Sequence, residues 1–334
     1  MTAPRHLVTA SPHLKSRDST PKIMWWVVAS LLPVIGVAVY YFGPSALLVI
    51  AAATLGAVGT EALWGKRGTV RDGSAAITGL LLGLCLPAGL PLWMAFLGGA
   101  VGIGFGKLLF GGLGQNVFNP ALLGRAFLQA AFPVALTTWP AVRGVPWWSL
   151  RGDNFALPFM SASVDAVTAA TPLGLFKFEG TTTSLGDLAF GSTGGSLGET
   201  GALVILVCGG YLAIRRYLNW RIPASILLTV GVLTGVLHLI DAARFPSPPF
   251  MLFSGGLMLG AWYMATDMVT SPVTNLGAWI FGAGVGFLVV LIRLWGGLAE
   301  GVMYAILLMN AVVPFINRAT QPRVFGTRLD GAKP

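Results

Sequence analysis

The feature that most constrains the fold of this chain is a series of apolar runs, most of them long enough to cross a lipid bilayer. A transmembrane helix needs about 20 such residues to span roughly 30 Å of hydrocarbon. Only 10% of the residues are charged, whereas a soluble domain carries about a quarter. The pattern predicts an all-α polytopic membrane protein, because a transmembrane barrel would show short segments of alternating polarity instead.

Ten apolar runs occur, five before and five after a long polar segment. Their approximate cores are Met24–Phe42, Ser45–Trp64, Ala75–Leu86, Pro91–Leu109, Ala121–Thr138, Gly201–Ile214, Ile222–Ile240, Phe250–Met264, Leu276–Leu294 and Val302–Ile316. The third run is short and leads into Pro87 and Pro91, which predicts a broken or half-spanning helix whose backbone is covered by protein. Two groups of five helices are also consistent with two halves of inverted topology.

The basic residues predict the orientation of the chain, because cytoplasmic loops of membrane proteins carry an excess of Lys and Arg. With the N-terminus inside, fifteen of the 21 basic residues lie on the cytoplasmic side, five lie outside, and Arg125 lies within the fifth run. The predicted organisation is a cytoplasmic N-terminal segment (1–21), helices 1–5 (22–139), an outer loop (140–199), helices 6–10 (200–316) and a cytoplasmic tail (317–334). A nucleic-acid partner is not indicated, since no basic–aromatic binding face is visible.

Several kinds of catalytic site are excluded by the residues present. The two cysteines, Cys85 and Cys208, both lie in apolar runs and cannot by themselves complete a zinc or four-cysteine iron–sulfur site. The sequence has no Walker loop, no HExxH and no Ser/His/Asp arrangement, so a hydrolase has no support. The remaining charged or polar residues in or beside the runs are interpreted as interfacial or paired: Glu61, His238, Asp241 and Glu300.

The outer loop contains the short stretch DAVTAATPL, residues 165–173. Thr171 precedes Pro172, which biases its backbone toward extended conformations, and the small Ala169 and Ala170 leave its hydroxyl accessible. A hydroxyl in this setting is a candidate point of covalent attachment. The alternative is an ordinary loop threonine.

Two polar stretches lie at the inner ends of the helices. GGLGQNVFNPALLGR (111–125) combines glycines, which allow close approach of the backbone to a ligand, with Asn116 and Asn119. YMATDMVTSPVTN (263–275) places Asp267 at the end of an apolar run, where a carboxylate is a functional candidate. The alternatives are a tight turn with asparagine caps for the first stretch and a helix N-cap for Asp267. Both stretches lie on the same membrane face, so they can close on one ligand.

These motifs resemble those of a known family, the D subunits of the Rnf ion-translocating electron transport complexes, which are related to the B subunits of the sodium-pumping NADH–quinone oxidoreductases. The stretch SPHLKSRDSTPKIMWWVV (11–28) looks like the D subunits' own N-terminal signature. The likeness covers essentially the whole chain, including the ten-helix layout. It implies a location in the bacterial inner membrane, with the outer loop in the periplasm.

DAVTAATPL is similar to the family's flavinylation motif, in which Asp, two residues, Ser or Thr, and a small residue precede Ala-Thr. The resemblance implies that Thr171 carries covalent FMN, with Asp165, Thr168 and Ala170 as the rest of the motif. The link would be a phosphoester between the flavin phosphate and the threonine oxygen, made by a separate flavin transferase. Ala169 stands where Gly is usual and Thr168 where Ser is common, and both departures are small.

The resemblance also implies a second, non-covalent flavin, riboflavin, near the inner ends of the helices. Asn116 and Asn119 match the paired asparagines of the related B subunit's riboflavin site, and Asp267 matches its aspartate. Thr78 is expected to line the same pocket.

The expected function is therefore that of a membrane flavoprotein subunit of a ferredoxin/NAD-type complex, relaying electrons in step with translocation of Na⁺ or H⁺. The other subunits, of the A, B, C, E and G types, would supply the nicotinamide and ferredoxin sites, so this chain holds no complete active site. One alternative is a solute transporter or channel without redox function, which would have no use for DAVTAATPL. Another is a structural scaffold whose flavin motifs are unused.

Overall fold

The computed structural model describes residues 18–66, 68–142, 145–158, 160 and 169–322, and the regular elements in these ranges are helices. The α-helices are α1 (Thr20–Phe42), α2 (Pro44–Trp64), α3 (Ser74–Leu84), α4 (Leu92–Ile103), α5 (Pro120–Ala131), α6 (Pro133–Thr137), α7 (Pro172–Gly174), α8 (Leu185–Phe190), α9 (Ala202–Ile214), α10 (Arg221–Ile240), α11 (Pro248–Phe253), α12 (Leu257–Leu259), α13 (Asn275–Trp295) and α14 (Val302–Thr320). Wider π-helical turns continue α4 to Leu108, α7 to Glu179 and α12 to Met264.

Five of the described helices are long and apolar enough to cross a membrane by length and composition. They are α1, α2, α10, α13 and α14. Shorter apolar helices cover Ser74–Leu84, Leu92–Leu108 and Ala202–Ile214. The prediction of an all-α polytopic membrane protein is confirmed. Each of the ten apolar runs contains one or two of the α-helices given above.

Three of the ten runs contain a break. In the third run the helix ends at Leu84, as the prolines that follow it predict. In the fifth run α5 stops before Phe132, because that residue precedes Pro133 and is pushed out of the helical region. The eighth run is interrupted between α11 and α12, where Gly255 adopts a φ of +64° that favours glycine. This third break was not predicted, because the sequence contains no proline there.

Each half of the chain packs its second helix closely against its fourth. In the first half, a Cβ on Gly56 of α2 would collide with the Phe96 carbonyl, and one on Gly99 of α4 with the Ala53 carbonyl. In the second half, Gly282 of α13 lies against the backbone of α10 in the same way. Small residues of this kind let transmembrane helices approach each other closely. The repeated packing agrees with a division into two five-helix halves.

We expect Gly56→Ala to destabilise the protein by about 1–3 kcal/mol, because the added methyl group overpacks the α2–α4 contact. Gly59→Ala, three residues away on α2, is the matched control because no atom lies within 4 Å of its new methyl group. That control should gain up to about 1 kcal/mol from helix propensity. Unfolding in mixed detergent micelles measures both variants, and equal effects would contradict the packing argument.

The polar segment between α6 and α9 is fastened to helix ends at one end of the bundle. Trp147 Nε1 donates to the Val39 carbonyl of α1 at 3.1 Å, and Asn154 Nδ2 donates to the Leu90 carbonyl beyond α3 at 3.0 Å. Lys177 Nζ donates to carbonyls that follow α13, reaching Leu298 O at 2.8 Å. These bonds tie the polar segment to residues near or beyond the C-terminal ends of α1, α3 and α13.

Three of the basic residues that the charge count assigned to the two sides of the membrane are buried inside the protein. Lys107, Arg151 and Arg293 are each only 3% exposed. Arg293 Nη1 and Nη2 donate to the carbonyls of Met251 and Ser254, at 2.7 and 2.9 Å, and so satisfy groups left free by the break after α11. Without these three residues the cytoplasmic count loses Lys107 and the outer count loses Arg151 and Arg293, so the charge asymmetry remains.

Candidate functional site

A cavity of about 780 Å³, partly open to solvent, brings four of the predicted site residues together. Thr78, Asn116, Asn119 and Asp267 all line it. They come from α3, the loop before α5, the start of α5 and the loop after α12.

Asn119 has two structural roles at the cavity wall. Its Oδ1 accepts hydrogen bonds from the backbone N–H groups of Ala121 and Leu122, at 3.0 and 3.3 Å, so it is the N-cap of α5. Its Nδ2 donates to the Met264 carbonyl at 3.1 Å and ties α5 to the end of the eighth run. The capping alternative therefore holds for Asn119, and the same contacts fix the shape of the cavity.

Asp267 is held in the loop between the eighth and ninth runs. Its Oδ2 accepts from Thr270 Oγ1 at 3.1 Å and, weakly, from Asn116 Nδ2 at 3.5 Å, while Oδ1 accepts from the Val269 N–H at 3.2 Å. Burial raises the pKa of this carboxyl, and the three hydrogen bonds partly oppose the rise. The N-cap alternative for Asp267 is wrong, because Thr274 caps α13 by accepting from the Gly277 N–H.

The rest of the cavity wall is mainly apolar and aromatic. Ile77, Leu81 and Leu113 supply aliphatic surface, and Tyr217 and Trp262 supply rings. A few polar groups in an apolar cleft are the usual composition of a site for a flat organic cofactor. Thr78, by contrast, uses its hydroxyl within α3, where it donates to the Ser74 carbonyl at 3.0 Å.

Thr171 lies in the polar segment between α6 and α9, at the start of the short helical stretch 172–179. Its backbone is extended, as expected before proline. Its Oγ1 accepts from the Gly174 N–H at 3.1 Å, so the side chain is also a helix N-cap, a role that sequence reasoning did not identify. Ala170 is exposed and Ala169 donates its N–H to the Trp139 carbonyl. Asp165 and Thr168 lie outside the described residues.

A second cavity, of about 760 Å³, adjoins the segment that begins at Thr171. Leu173 and Phe176 of this segment line it, opposite the aromatic rings of Phe245 and Trp295. Three basic side chains complete the lining: Lys177, Arg244 and Arg293. Sequence reasoning missed this cavity because it used those basic residues only as topology markers.

The first cavity and the polar segment that carries Thr171 are associated with opposite ends of α1. Met24 and Val27, near its N-terminus, line the first cavity. Val39, near its C-terminus, accepts a hydrogen bond from the polar segment that carries Thr171. Because a helix rises 1.5 Å per residue, Met24 and Val39 are separated by roughly 22 Å along the axis. The predicted site residues therefore form two groups on opposite sides of the bundle.

Known proteins that are similar to this chain identify its family. A family model described as the NQR2, RnfD, RnfE family matches residues 7–326. The chain belongs to this family. The resemblance drawn from the sequence motifs is thereby confirmed over nearly the full length.

Individual members of the NQR2, RnfD, RnfE family match with similar strength. The D subunit of the proton-translocating ferredoxin:NAD(+) oxidoreductase complex of Clostridium ljungdahlii is 42% identical over 96% of both chains. The D subunit of the Na(+)-translocating ferredoxin:NAD(+) oxidoreductase complex of Acetobacterium woodii is 40% identical over 96% of this chain and 95% of its own. That of the ion-translocating oxidoreductase complex of Stutzerimonas stutzeri is 41% identical over 94% of each. Because the proton-linked and the sodium-linked relatives are almost equally identical to this chain, sequence identity does not indicate its coupling ion.

Proposed function

We propose that this chain is a membrane subunit of an ion-translocating ferredoxin:NAD(+) oxidoreductase complex and relays electrons through two flavins. The relatives are named as subunits of such complexes and align over almost their whole length. The observation that carries the flavin assignment is the clustering of Thr78, Asn116, Asn119 and Asp267 on one cavity, with Thr171 at the opposite end of the bundle. The nicotinamide and ferredoxin sites belong to other subunits of the complex.

The first cavity is proposed to hold riboflavin without a covalent bond. Asn116 offers an amide donor and acceptor, and its contacts with the protein are at the long limit of hydrogen bonding, so it is free to re-pair with a ligand. Asp267 offers an acceptor for an N–H or O–H group. The aromatic wall suits a planar ring system, and an isoalloxazine would supply the redox chemistry, which none of these side chains performs.

Thr171 is proposed to carry FMN through a phosphoester. A separate flavin transferase would supply a flavin nucleotide that is activated as a phosphoanhydride. The threonine oxygen bonds to the flavin phosphorus, the phosphoanhydride bond breaks, the outer phosphate group leaves, and the threonine proton is released to water. The adjoining cavity supports the assignment, because its aromatic residues suit the flavin ring. Its basic residues, among them Lys177 and Arg244, favour the negative charge that the phosphoester retains.

We expect Asn116→Ala and Asp267→Ala each to lower the non-covalent flavin recovered from the purified complex. Loss of a hydrogen bond to a buried ligand costs about 1–3 kcal/mol, which corresponds to roughly 5- to 150-fold weaker binding. Asn317→Ala is the matched control, because Asn317 accepts from the Val273 N–H and does not line the cavity. Flavin extracted with acid and quantified by chromatography gives the readout, and unchanged flavin in both cavity variants would remove the riboflavin assignment.

The orientation is proposed from the loop charges, with the N-terminus in the cytoplasm and the Thr171 segment in the periplasm. In a Cys208→Ala background, Ser184→Cys should react with an impermeant thiol reagent added to intact cells, since Ser184 is exposed on the outer segment. Ser19→Cys, exposed before α1, is the control and should react only after the membrane is opened. The opposite pattern of labelling would reverse the proposed topology.

A further inference from the structure

Four charged side chains, two of them buried and two partly buried, form a group between the two proposed flavin sites: Arg125, Glu199, Arg293 and Glu300. Arg125 Nη2 lies 3.3 Å from Glu300 Oε2, and Arg293 Nη2 lies 4.0 Å from Glu300 Oε1. Glu199 is 8% exposed. Neither the topology nor the proposed flavin ligation uses Glu199 or Glu300.

The group is in contact with the segment that carries Thr171. Glu300 accepts from the Gly256 N–H at the break between α11 and α12. At the same break a Cβ on Gly255 would lie 2.8 Å from Leu173, two residues after Thr171. On the Glu199 side, a Cβ on Gly194 would lie 2.9 Å from Ala169. Residues close to Thr171 in sequence therefore pack on the segments that hold both glutamates.

A series of contacts leads from the charged group to the first cavity. Cys85, at the end of α3, interacts with Arg125 and Glu199, and its Sγ lies 4.0 Å from Met264 Sδ. The carbonyl of Met264 accepts the hydrogen bond from Asn119 on the cavity wall. The charged group thus occupies the interior of the bundle between the two ends that are proposed to hold flavins.

The two carboxyl groups have unequal environments. Glu300 faces two guanidinium groups and a backbone N–H. Within the described residues, the side chain of Glu199 receives its hydrogen bonds from one residue, Ser196, through Oγ at 2.8 Å and through the backbone N–H. Burial, and then the proximity of Glu300, raise the pKa of Glu199 to about 8, while Ser196 and Arg125 partly oppose the rise. The charged and titratable groups that act on Glu199 are Glu300, Arg125, Arg293 and Cys85.

We propose that Glu199 is a proton-binding site that takes up a proton when an electron reaches the flavin on Thr171 and releases it when the electron leaves. Uptake requires that the carboxylate is ionised before the electron arrives, which holds above about pH 8. An O–H bond then forms on Glu199 with a proton from the outer aqueous phase. The arriving electron and the proton carry opposite charges, so the net charge of the region is unchanged. This avoids the cost of adding an uncompensated charge in a region of low dielectric constant. The coupling to the flavin rests on the proposed function, whereas the proton site stands on the charged group alone.

The proton site is tested first without flavin, in the Thr171→Ala protein. Infrared difference spectra between low and high pH should show a protonated carboxyl band that is lost with a midpoint near 8 and is absent after Glu199→Gln. Glu199→Asp should restore a carboxyl band at a shifted frequency, which separates loss of the group from misfolding. A band that is identical in the Glu199→Gln protein would overturn the proton site.

The redox coupling is tested in the complete, flavinylated complex. In the wild type the midpoint potential of the Thr171 flavin should be constant below about pH 8 and fall as the pH rises above it, and this dependence should be lost after Glu199→Gln. Glu179→Gln, an exposed glutamate on the same outer segment, is the control and should leave the pH profile unchanged. The same profile in the Glu199→Gln complex would overturn the coupling. A wild-type chain without covalent flavin would overturn the proposed function instead, and the infrared result would still stand.

Discussion

Replacing Thr171 by alanine is expected to abolish the covalent flavin. When the chain is produced with a flavin transferase and denatured on a gel, the wild type should fluoresce and Thr171→Ala should not. The effect is all-or-none, because a phosphoester needs the threonine oxygen and alanine has none. Riboflavin in the first cavity is not covalent and leaves the chain on denaturation, so it does not contribute to the signal.

Capping is the complication in this experiment, since Thr171 Oγ1 also accepts from the Gly174 N–H. Loss of an N-cap costs about 1 kcal/mol and disturbs the segment that the transferase must recognise. Thr171→Asn separates the two roles, because asparagine caps helices well but has no hydroxyl. Thr171→Ser keeps both the cap and the hydroxyl. We expect fluorescence in the serine variant and none in the asparagine variant.

The result also decides between electron transfer and transport. The cavities and broken helices of this fold are compatible with a solute transporter or channel, as the sequence alone already allowed. A transporter has no need of a flavin on its outer segment. Fluorescence that persists in Thr171→Ala would move the attachment site elsewhere, and its absence from the wild type in a competent host would favour the transport alternative.

The sequence predicted the helical layout well because the bilayer imposes a length and a polarity on each helix. The break after α3 was also predictable, since Pro87 and Pro91 cannot continue a helix. The break between α11 and α12 was not, because it depends on the positive φ of Gly255. With 45 glycines in the chain, composition does not indicate which one adopts such a conformation.

The sequence predicted the candidate sites less completely than it predicted the fold. The four residues proposed for riboflavin lie in three separate stretches, and the fold brings them to one cavity. The sequence offered a capping role as an alternative for both Asn119 and Asp267. Only Asn119 is a cap, and the sequence does not distinguish the two cases. Glu199 was overlooked because it lies in a polar segment, where a carboxylate is expected to face water. Its burial becomes visible only in three dimensions.

Lys107 shows how a charge count can misassign a residue. It was assigned to a cytoplasmic loop, yet its Nζ lies 2.5 Å from Glu61 Oε1 and 2.6 Å from Ser74 Oγ, with Asp72 Oδ2 at 3.9 Å. Glu61 is 1% exposed, and its second oxygen has no hydrogen-bond partner among the described residues. The pair links the ends of α2 and α4 beside the first cavity.

We expect Lys107→Met to destabilise the protein by about 3–5 kcal/mol, because it leaves the Glu61 carboxylate buried without its cation. The double variant Lys107→Met with Glu61→Met should recover most of this loss, since a buried ion pair replaced by apolar side chains is often close to neutral. Unfolding in mixed detergent micelles gives the free energy for each single and double variant. Lys22→Met, which removes one partner of the exposed Lys22–Asp18 pair, should change stability little.

The double-mutant cycle separates the pair from its surroundings. If the double variant loses as much stability as the two single variants combined, Lys107 and Glu61 are not energetically coupled and the cost lies in packing around α4. Recovery in the double variant would instead show that the pair is dispensable for folding. The buried charges would then need a functional reason for their position at the cavity edge, and flavin content of the recovered double variant would test that reason directly.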